Sequence, residues 1–292
     1  FLGFWLPLAD SVAHFRFYLT VIVALASVVL FGLRDRRAAG IACAASLLGV
    51  IGMTPALPSW MPAQAGNGAP SITLVQLNLS FRNRDLEAVA ELIRREGADV
   101  VTLQEVTKNT GRLMTILEKE YPHSVLCSFA GVGGIAVLSR LPAAPAAPGE
   151  SSGCVARDGL AWLLVMAGGR PLSVATIHLH WPYPYRQPRQ LDRLQPHLEA
   201  IPRPVLLAGD FNAAPWSHAV ARVADATDTV VAGGLRFTFA FRPVGWAPAL
   251  AMPIDHILLP DGVAPLAVRS VPAPGSDHDS LVARLALLPE PD

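Results

Sequence analysis

VLLAGDFNAAPWS (Val205–Ser217) is the stretch on which the reading of this chain turns. An apolar run, Val205–Ala208, leads through Gly209 into Asp210, Phe211 and Asn212. A buried strand therefore delivers a carboxylate and an amide to its tip. In extended backbone Asp210 and Asn212 share one face while Phe211 turns into the core. An ionised carboxylate beside an amide can orient a water and take its proton. An Asx-rich turn closing a strand uses the same residue types, so the segment alone leaves both readings open.

Further strands end in polar residues. ITLVQLNL (72–79) carries Asn78 near its end, and LQEV (103–106) carries Glu105. A hard divalent cation takes oxygen ligands and usually one or two protein carboxylates, which makes Glu105 the candidate principal ligand. TIHLHW (176–181) places His178 and His180 on one face. Zinc wants a fuller set of His, Cys or acidic ligands, so His178 reads as a donor to a phosphate oxygen and His180 stays unassigned. IDHIL (254–258) sets Asp255 just inside a strand, and GSDHDSL (275–281) sets Asp277 and His278 before the last one. A carboxylate that holds an imidazole makes it a better base, or a cation that neutralises phosphate. His256 reads as an outward or supporting residue. Phosphoester cleavage needs a cation, donors for the phosphorus oxygens and an aligned water, and these tips supply all three. No P-loop, serine-hydrolase elbow or Rossmann glycine pattern competes.

Between the tips, Leu86–Arg95, Arg112–Glu120, Gln190–Ala200 and His218–Val223 have helical spacing. Strands are predicted at 99–103, 124–129, 134–139, 161–166, 173–178, 237–241, 254–259, 266–271 and 281–287. Mixed elements with many short late strands predict α+β layers rather than an all-parallel sheet.

The chain has 292 residues, 52% apolar and 16% charged, with zero formal net charge. An ordinary soluble domain carries about 25% charge, and here the deficit lies before residue 60. Only Lys108 and Lys119 are lysines and no basic stripe is legible, which counts against a grip on long duplex DNA. The run FYLTVIVALASVVLFGL (17–33) and the run 38–57 lack charge, and Phe1–Leu8 is apolar too. A spanning helix needs about 20 apolar residues, so these predict two transmembrane spans and the tail of an earlier one. Arg34, Arg36 and Arg37 between the runs put that turn in the cytoplasm and send the rest of the chain outward, with Trp60 at the interface. Residues 58–70 read as a linker and 71–292 as the catalytic domain. Of three cysteines, Cys43 lies in an apolar run, while Cys127 and Cys154 could form one bridge if the domain is extracytoplasmic.

Taken in order, QLNLS, LQE, IHL, GDFN, IDHIL and SDH resemble the endonuclease/exonuclease/phosphatase superfamily, over roughly residues 71–288. WPYP (181–184) and GDFNAAPWS also resemble a bacterial subgroup with N-terminal membrane helices. The resemblance implies a four-layer α/β sandwich of two packed, mostly antiparallel sheets flanked by helices. It implies Mg²⁺ or Mn²⁺ at Glu105 with Asn78 and Asp277 nearby, Asp210 aligning the water with Asn212, His278 oriented by Asp255, and His178 stabilising developing charge. Where many relatives have Asp two places after the histidine of the THL motif, this chain has His180, and the basic surfaces of DNA-processing members are absent. Trp181 and Tyr183, in a proline-stiffened loop with Tyr185, could stack on a base, dip into headgroups or pack as an ordinary surface loop.

The sequence thus predicts a phosphodiesterase or phosphatase on the bacterial cytoplasmic membrane, its catalytic domain facing outward. Its substrate would be a lipid headgroup, a small phosphoester or nucleic acid, its other partner the lipid bilayer, and no protein partner is predicted. An extracytoplasmic nuclease on the same site and a non-catalytic scaffold retaining the fold are the rivals.

Overall fold

The computed structural model describes residues 7–54, 70–128, 133–146, 150–184, 186–241 and 250–289. Three helices come first: α1 (Pro7–Ala13), α2 (Arg16–Gly32) and α3 (Arg36–Ile51). The first half then runs β1 (Ser71–Asn78), α4 (Leu86–Arg95), β2 (Val100–Val106), α5 (Arg112–Leu117), β3 (His123–Cys127) and β4 (Gly134–Ser139). The second half runs β5 (Ser152–Val155), β6 (Leu160–Ala167), β7 (Arg170–His178), α6 (Gln187–Glu199), β8 (Val205–Asp210), α7 (His218–Thr227) and β9 (Thr229–Val231). Last come β10 (Phe239–Phe241), β11 (Leu250–Met252), β12 (Asp255–Pro260), β13 (Val263–Pro272) and β14 (Asp279–Leu287).

Two six-stranded sheets form, ordered β13-β14-β1-β2-β4-β3 and β5-β6-β7-β8-β12-β9, with β10 and β11 as a separate ribbon. Each large sheet is antiparallel except for one parallel pair, β1 with β2 and β7 with β8. The chain is therefore the expected α/β sandwich, and alternation along the strands explains the layering. In β8, Leu206 and Ala208 join Leu74, Val174 and Ile257 between the sheets. Val205 and Leu207 turn outward onto Leu194 of α6 and Val220 of α7. On the other sheet Val75, Leu77, Val101 and Leu103 meet Val89 and Ile93 of α4 and Leu113 of α5. Helix, sheet, sheet, helix is the resulting order. Cys127 on edge strand β3 and Cys154 on edge strand β5 form a disulfide that ties the two sheets together.

The expected spans need correction. Helices α2 and α3 have 17 and 16 residues. At ~1.5 Å per residue each measures about 25 Å, below a hydrocarbon core of ~30 Å. Among the described residues no helix is long and apolar enough to cross a membrane. Charge sets the ends: Arg16 opens α2, the Arg34–Arg37 turn closes it, and Asp35 caps α3. The second helix ends at Ile51, and the Gly52 carbonyl just past it accepts from Arg16 Nη1 (2.6 Å) at the root of the hairpin; residues 55–57 of the expected run lie outside the described residues. Ser27 Oγ donates to the Ala39 carbonyl (2.8 Å), so α2 and α3 pack as a hairpin. Residues 1–6, most of the expected linker, Trp60 and Tyr185 lie outside the described residues.

Candidate active site

Alternation that buries Leu206 and Ala208 also points Asp210 into the layer between the sheets, at its upper rim. The same parity applies to Asn78 in β1 beyond Ile72 and Leu74, and to His178 in β7 beyond Leu172 and Val174. Register then lines the tips up. His178 sits opposite Asp210 across the parallel pair, and Asp255 sits opposite Asp210 across the antiparallel pair. Close approach of β7 to β8 at this row requires glycine, since a Cβ on Gly209 would lie 2.1 Å from the Ile177 carbonyl oxygen.

Asp210 is the hub. Its Oδ2 accepts from Asn78 Nδ2 at 3.0 Å, lies 3.5 Å from His178 Nε2 and 4.0 Å from His278 Nε2. Its Oδ1 accepts from the Asn212 backbone N–H at 2.9 Å. His278 Nδ1 donates to Asp255 Oδ2 at 2.8 Å, leaving Nε2 turned toward Asp210. Asp210, Asp255 and His278 are all buried, and one potential ligand atom from each lies within 4.8 Å of the others.

Burial separates the protonation states. Burial and the nearby charge of Asp255 push Asp210 up to about 7. Burial would raise Asp255 as well, but the adjacent His278 cation and hydrogen bonds from His278, Thr238 and Gln76 hold it below the usual range. Burial opposes charge on His278, yet Asp255 and Asp210 hold its proton up to about 10. At His178 the charge of Asp255 compensates only in part, and burial together with the nearby His278 cation takes it down to about 3. At neutral pH the row therefore contains an imidazolium, a neutral imidazole and a carboxyl poised to titrate.

Glu105 occupies an irregularity in β2 between Leu103 and Val106, with φ +57°. Gly133 presses against this turn, and a Cβ there would sit 2.8 Å from the Glu105 carbonyl carbon. Glu105 accepts from Asn78 Nδ2 (3.2 Å) and from the Phe81 backbone N–H (2.7 Å). Burial raises its pKa against those two hydrogen bonds. A carboxylate held half-buried at a backbone cost, and linked to Asp210 through Asn78 Nδ2, is a donor that suits a hard cation. Asp277, expected as a further ligand, is exposed, although its charge reaches both Glu105 and His278.

Seven of the expected residues thus meet at the rim: Asn78, Glu105, His178, Asp210, Asn212, Asp255 and His278. Trp181 is half-buried, its ring 6.3 Å from Phe239, which in turn stacks 4.8 Å from His278. Tyr183 is exposed, and its backbone N–H donates to Ser11 Oγ (3.2 Å). His180 is half-buried and its backbone N–H donates to Gln190 (2.7 Å). His256 is buried rather than outward, and its Nε2 donates to the Ala213 carbonyl (2.7 Å). Two supports were given no role by the sequence: Gln76 Nε2 donates to Asp255 Oδ1 (2.9 Å) and Thr238 Oγ1 to Asp255 Oδ2 (2.5 Å). Gln76 opens the QLNLS motif and is a polar residue at an inward position of an apolar strand, the two signals that could have found it.

The sequence profile of the Endonuclease/Exonuclease/phosphatase family matches residues 75–278. Comparison with curated proteins finds no match. Among solved structures, the endonuclease/exonuclease/phosphatase from Beutenbergia cavernae DSM 12333 superposes with TM-score 0.56 at 21% identity, covering 75% of this chain and 72% of that one. D. rerio TDP2, complexed with a single strand DNA product, gives 0.55 at 17%, covering 74% and 98%. Sphingomyelinase C from Streptomyces griseocarneus gives 0.51 at 19%, covering 74% and 99%.

Proposed function

The chain belongs to the endonuclease/exonuclease/phosphatase family, and from that membership and the rim geometry we propose that it is a metal-dependent phosphodiesterase or phosphatase acting on lipid headgroups or small phosphoesters. The observation that carries this reading is the convergence of Asn78, His178 and His278 on the Asp210 carboxylate. Glu105, with Asn78 and Asp277 beside it, would hold Mg²⁺ or Mn²⁺. Such a cation supplies neutralisation of phosphate charge and polarisation of the phosphorus–oxygen bonds. Asp210, deprotonated and braced by the Asn212 N–H, orients a water and accepts its proton. His278, kept cationic by Asp255, faces a phosphate oxygen through Nε2. His178, neutral and buried, donates to a second oxygen as negative charge builds. Trp181 and Tyr183 flank the substrate.

The bilayer reading rests on the helical hairpin, which exposes Ile22, Leu25, Val28, Phe31, Ile41 and Leu48 and ends in an arginine-rich turn. An apolar surface of this kind fits a lipid face better than water. The hairpin attaches the chain to the bacterial cytoplasmic membrane by embedding rather than by two complete spans, with residues 71–292 as the outward catalytic unit. The Cys127–Cys154 bridge agrees with an oxidising compartment.

One experiment addresses both parts. The full chain, incubated with anionic phospholipid vesicles and Mg²⁺ or Mn²⁺, should sediment with them and hydrolyse headgroup phosphoesters faster than oligonucleotides. Asp210→Ala should bind and turn over nothing. Undiminished hydrolysis by that variant refutes the hydrolase assignment, and protein left in the supernatant refutes lipid attachment.

A further inference from the structure

The N-terminal helices meet the rest of the chain at the catalytic motif itself. Asn212 adopts φ +45°, a left-handed conformation that costs energy outside glycine and persists only where its surroundings impose it. Two of those surroundings bond Asn212 through its own nitrogens: its N–H on Asp210 Oδ1, and its Nδ2 donating to the Leu179 carbonyl at 2.8 Å. Two more act on the carbonyls that follow. His256 Nε2 holds that of Ala213, and His14 Nε2 donates to that of Asn212 at 3.0 Å.

His14 lies 198 residues upstream, in the junction between α1 and α2, and is 1% exposed. Its Nδ1 lies 2.8 Å from the Ser11 carbonyl oxygen and its ring 5.2 Å from that of Trp181, so neighbours enclose the imidazole on several sides. The junction grips the rest of the motif as well. Trp216 Nε1 donates to the Ala13 carbonyl (2.8 Å), the His218 backbone N–H to Asp10 Oδ1 (3.3 Å), and Ala13 packs with Ala214 and Trp216.

We propose that His14 is a positioning residue for the hydrolytic site: through the Asn212 carbonyl it holds the turn that aims Asp210, and so makes the N-terminal helices a working part of the active site. This rests on the assignment of Asp210 as the water-orienting base. Loss of the imidazole leaves a buried carbonyl without its donor and lets the turn relax. Asp210 then moves relative to a bound phosphate while Glu105, His178 and His278 stay in place. Displacing a reacting group costs rate rather than binding.

The test uses the full chain with bis(4-nitrophenyl) phosphate and Mn²⁺, and follows thermal unfolding in parallel. His14→Ala should lower kcat by about ten- to a hundredfold with KM little changed. His14→Gln, whose amide nitrogen reaches where Nε2 stood, should recover most of the rate, whereas His14→Asn, which reaches only to Nδ1, should not. Tyr18→Phe removes a different anchor of the N-terminal helices, the bond from α2 to the Ala251 carbonyl, and should leave kcat unchanged. Wild-type kcat in His14→Ala, or equal rates for the Gln and Asn variants, overturns the proposal. That Gln–Asn comparison stands even if the alanine variant fails to fold. Activity surviving in Asp210→Ala would instead sink the hydrolase assignment beneath it.

Discussion

Asp210 and His278 differ in what burial does to them, and the difference sets a pH dependence. A carboxyl raised to about 7 is a base only above that pH, and an imidazole raised to about 10 is a cation only below that one. Both functional forms coexist in the interval between. At fixed metal concentration kcat/KM should therefore climb through about 7 and fall toward about 10, a bell with two assignable limbs. His178, at about 3, should contribute no limb above about 5. A pH–rate profile that stays flat across neutrality would contradict these assignments. At this scale the motif residues are legible in the sequence because few residue types perform such chemistry. The roles of Gln76, Thr238 and His14 are not, since each is an ordinary polar residue given its role by a partner 179, 17 or 198 positions away.

Strand tips, not loops, carry the site, and their register is what aligns it. Because His178, Asp210 and Asp255 stand opposite one another, a slip of one residue in β7, β8 or β12 would turn one of them out of the inter-sheet layer. Gly209 guards that register. Gly209→Ala forces a methyl against the Ile177 carbonyl across a parallel pair, and should cost about 3 kcal/mol by urea unfolding. An unchanged midpoint would mean that β7 and β8 can separate freely, against the packing described. Strong periodicity made β1, α4, β4 and β8 readable, and Leu86–Arg95 and Gly134–Ser139 form the elements expected there. The strands without a predicted counterpart, β5, β9 and β11, have four, three and three residues. Segments that short show no alternation to detect, and only pairing with β6, β12 and β10 defines them.

Two sheets pressed face to face hold the molecule together, and one edge of that pair is stapled. The bridge from Cys127 to Cys154 closes a loop with a sequence separation of 27 and joins β3 of one sheet to β5 of the other. Replacing both cysteines by serine should lower the unfolding free energy by about 3 kcal/mol, chiefly by freeing the unfolded chain. Equal stability in the double variant and the oxidised protein would mean that the bridge only decorates an edge already fixed by packing. The helical hairpin exposes many apolar side chains, and the α1–α2 junction just ahead of it is held against Trp216 and Asn212 through Ala13 and His14.

Apolar alternation and the residue types at strand ends determine the layered fold, the family and most of the chemistry, because both are local properties that survive without coordinates. Helix length and the meeting of distant groups are not local. The first apolar run forms a helix of the expected 17 residues, too short to span, and the second, expected over 38–57, forms one of 16. Packing alone brought His14 onto the turn that follows the central carboxylate, since no sequence pattern records which buried carbonyl lacks a donor until the backbone has folded around it.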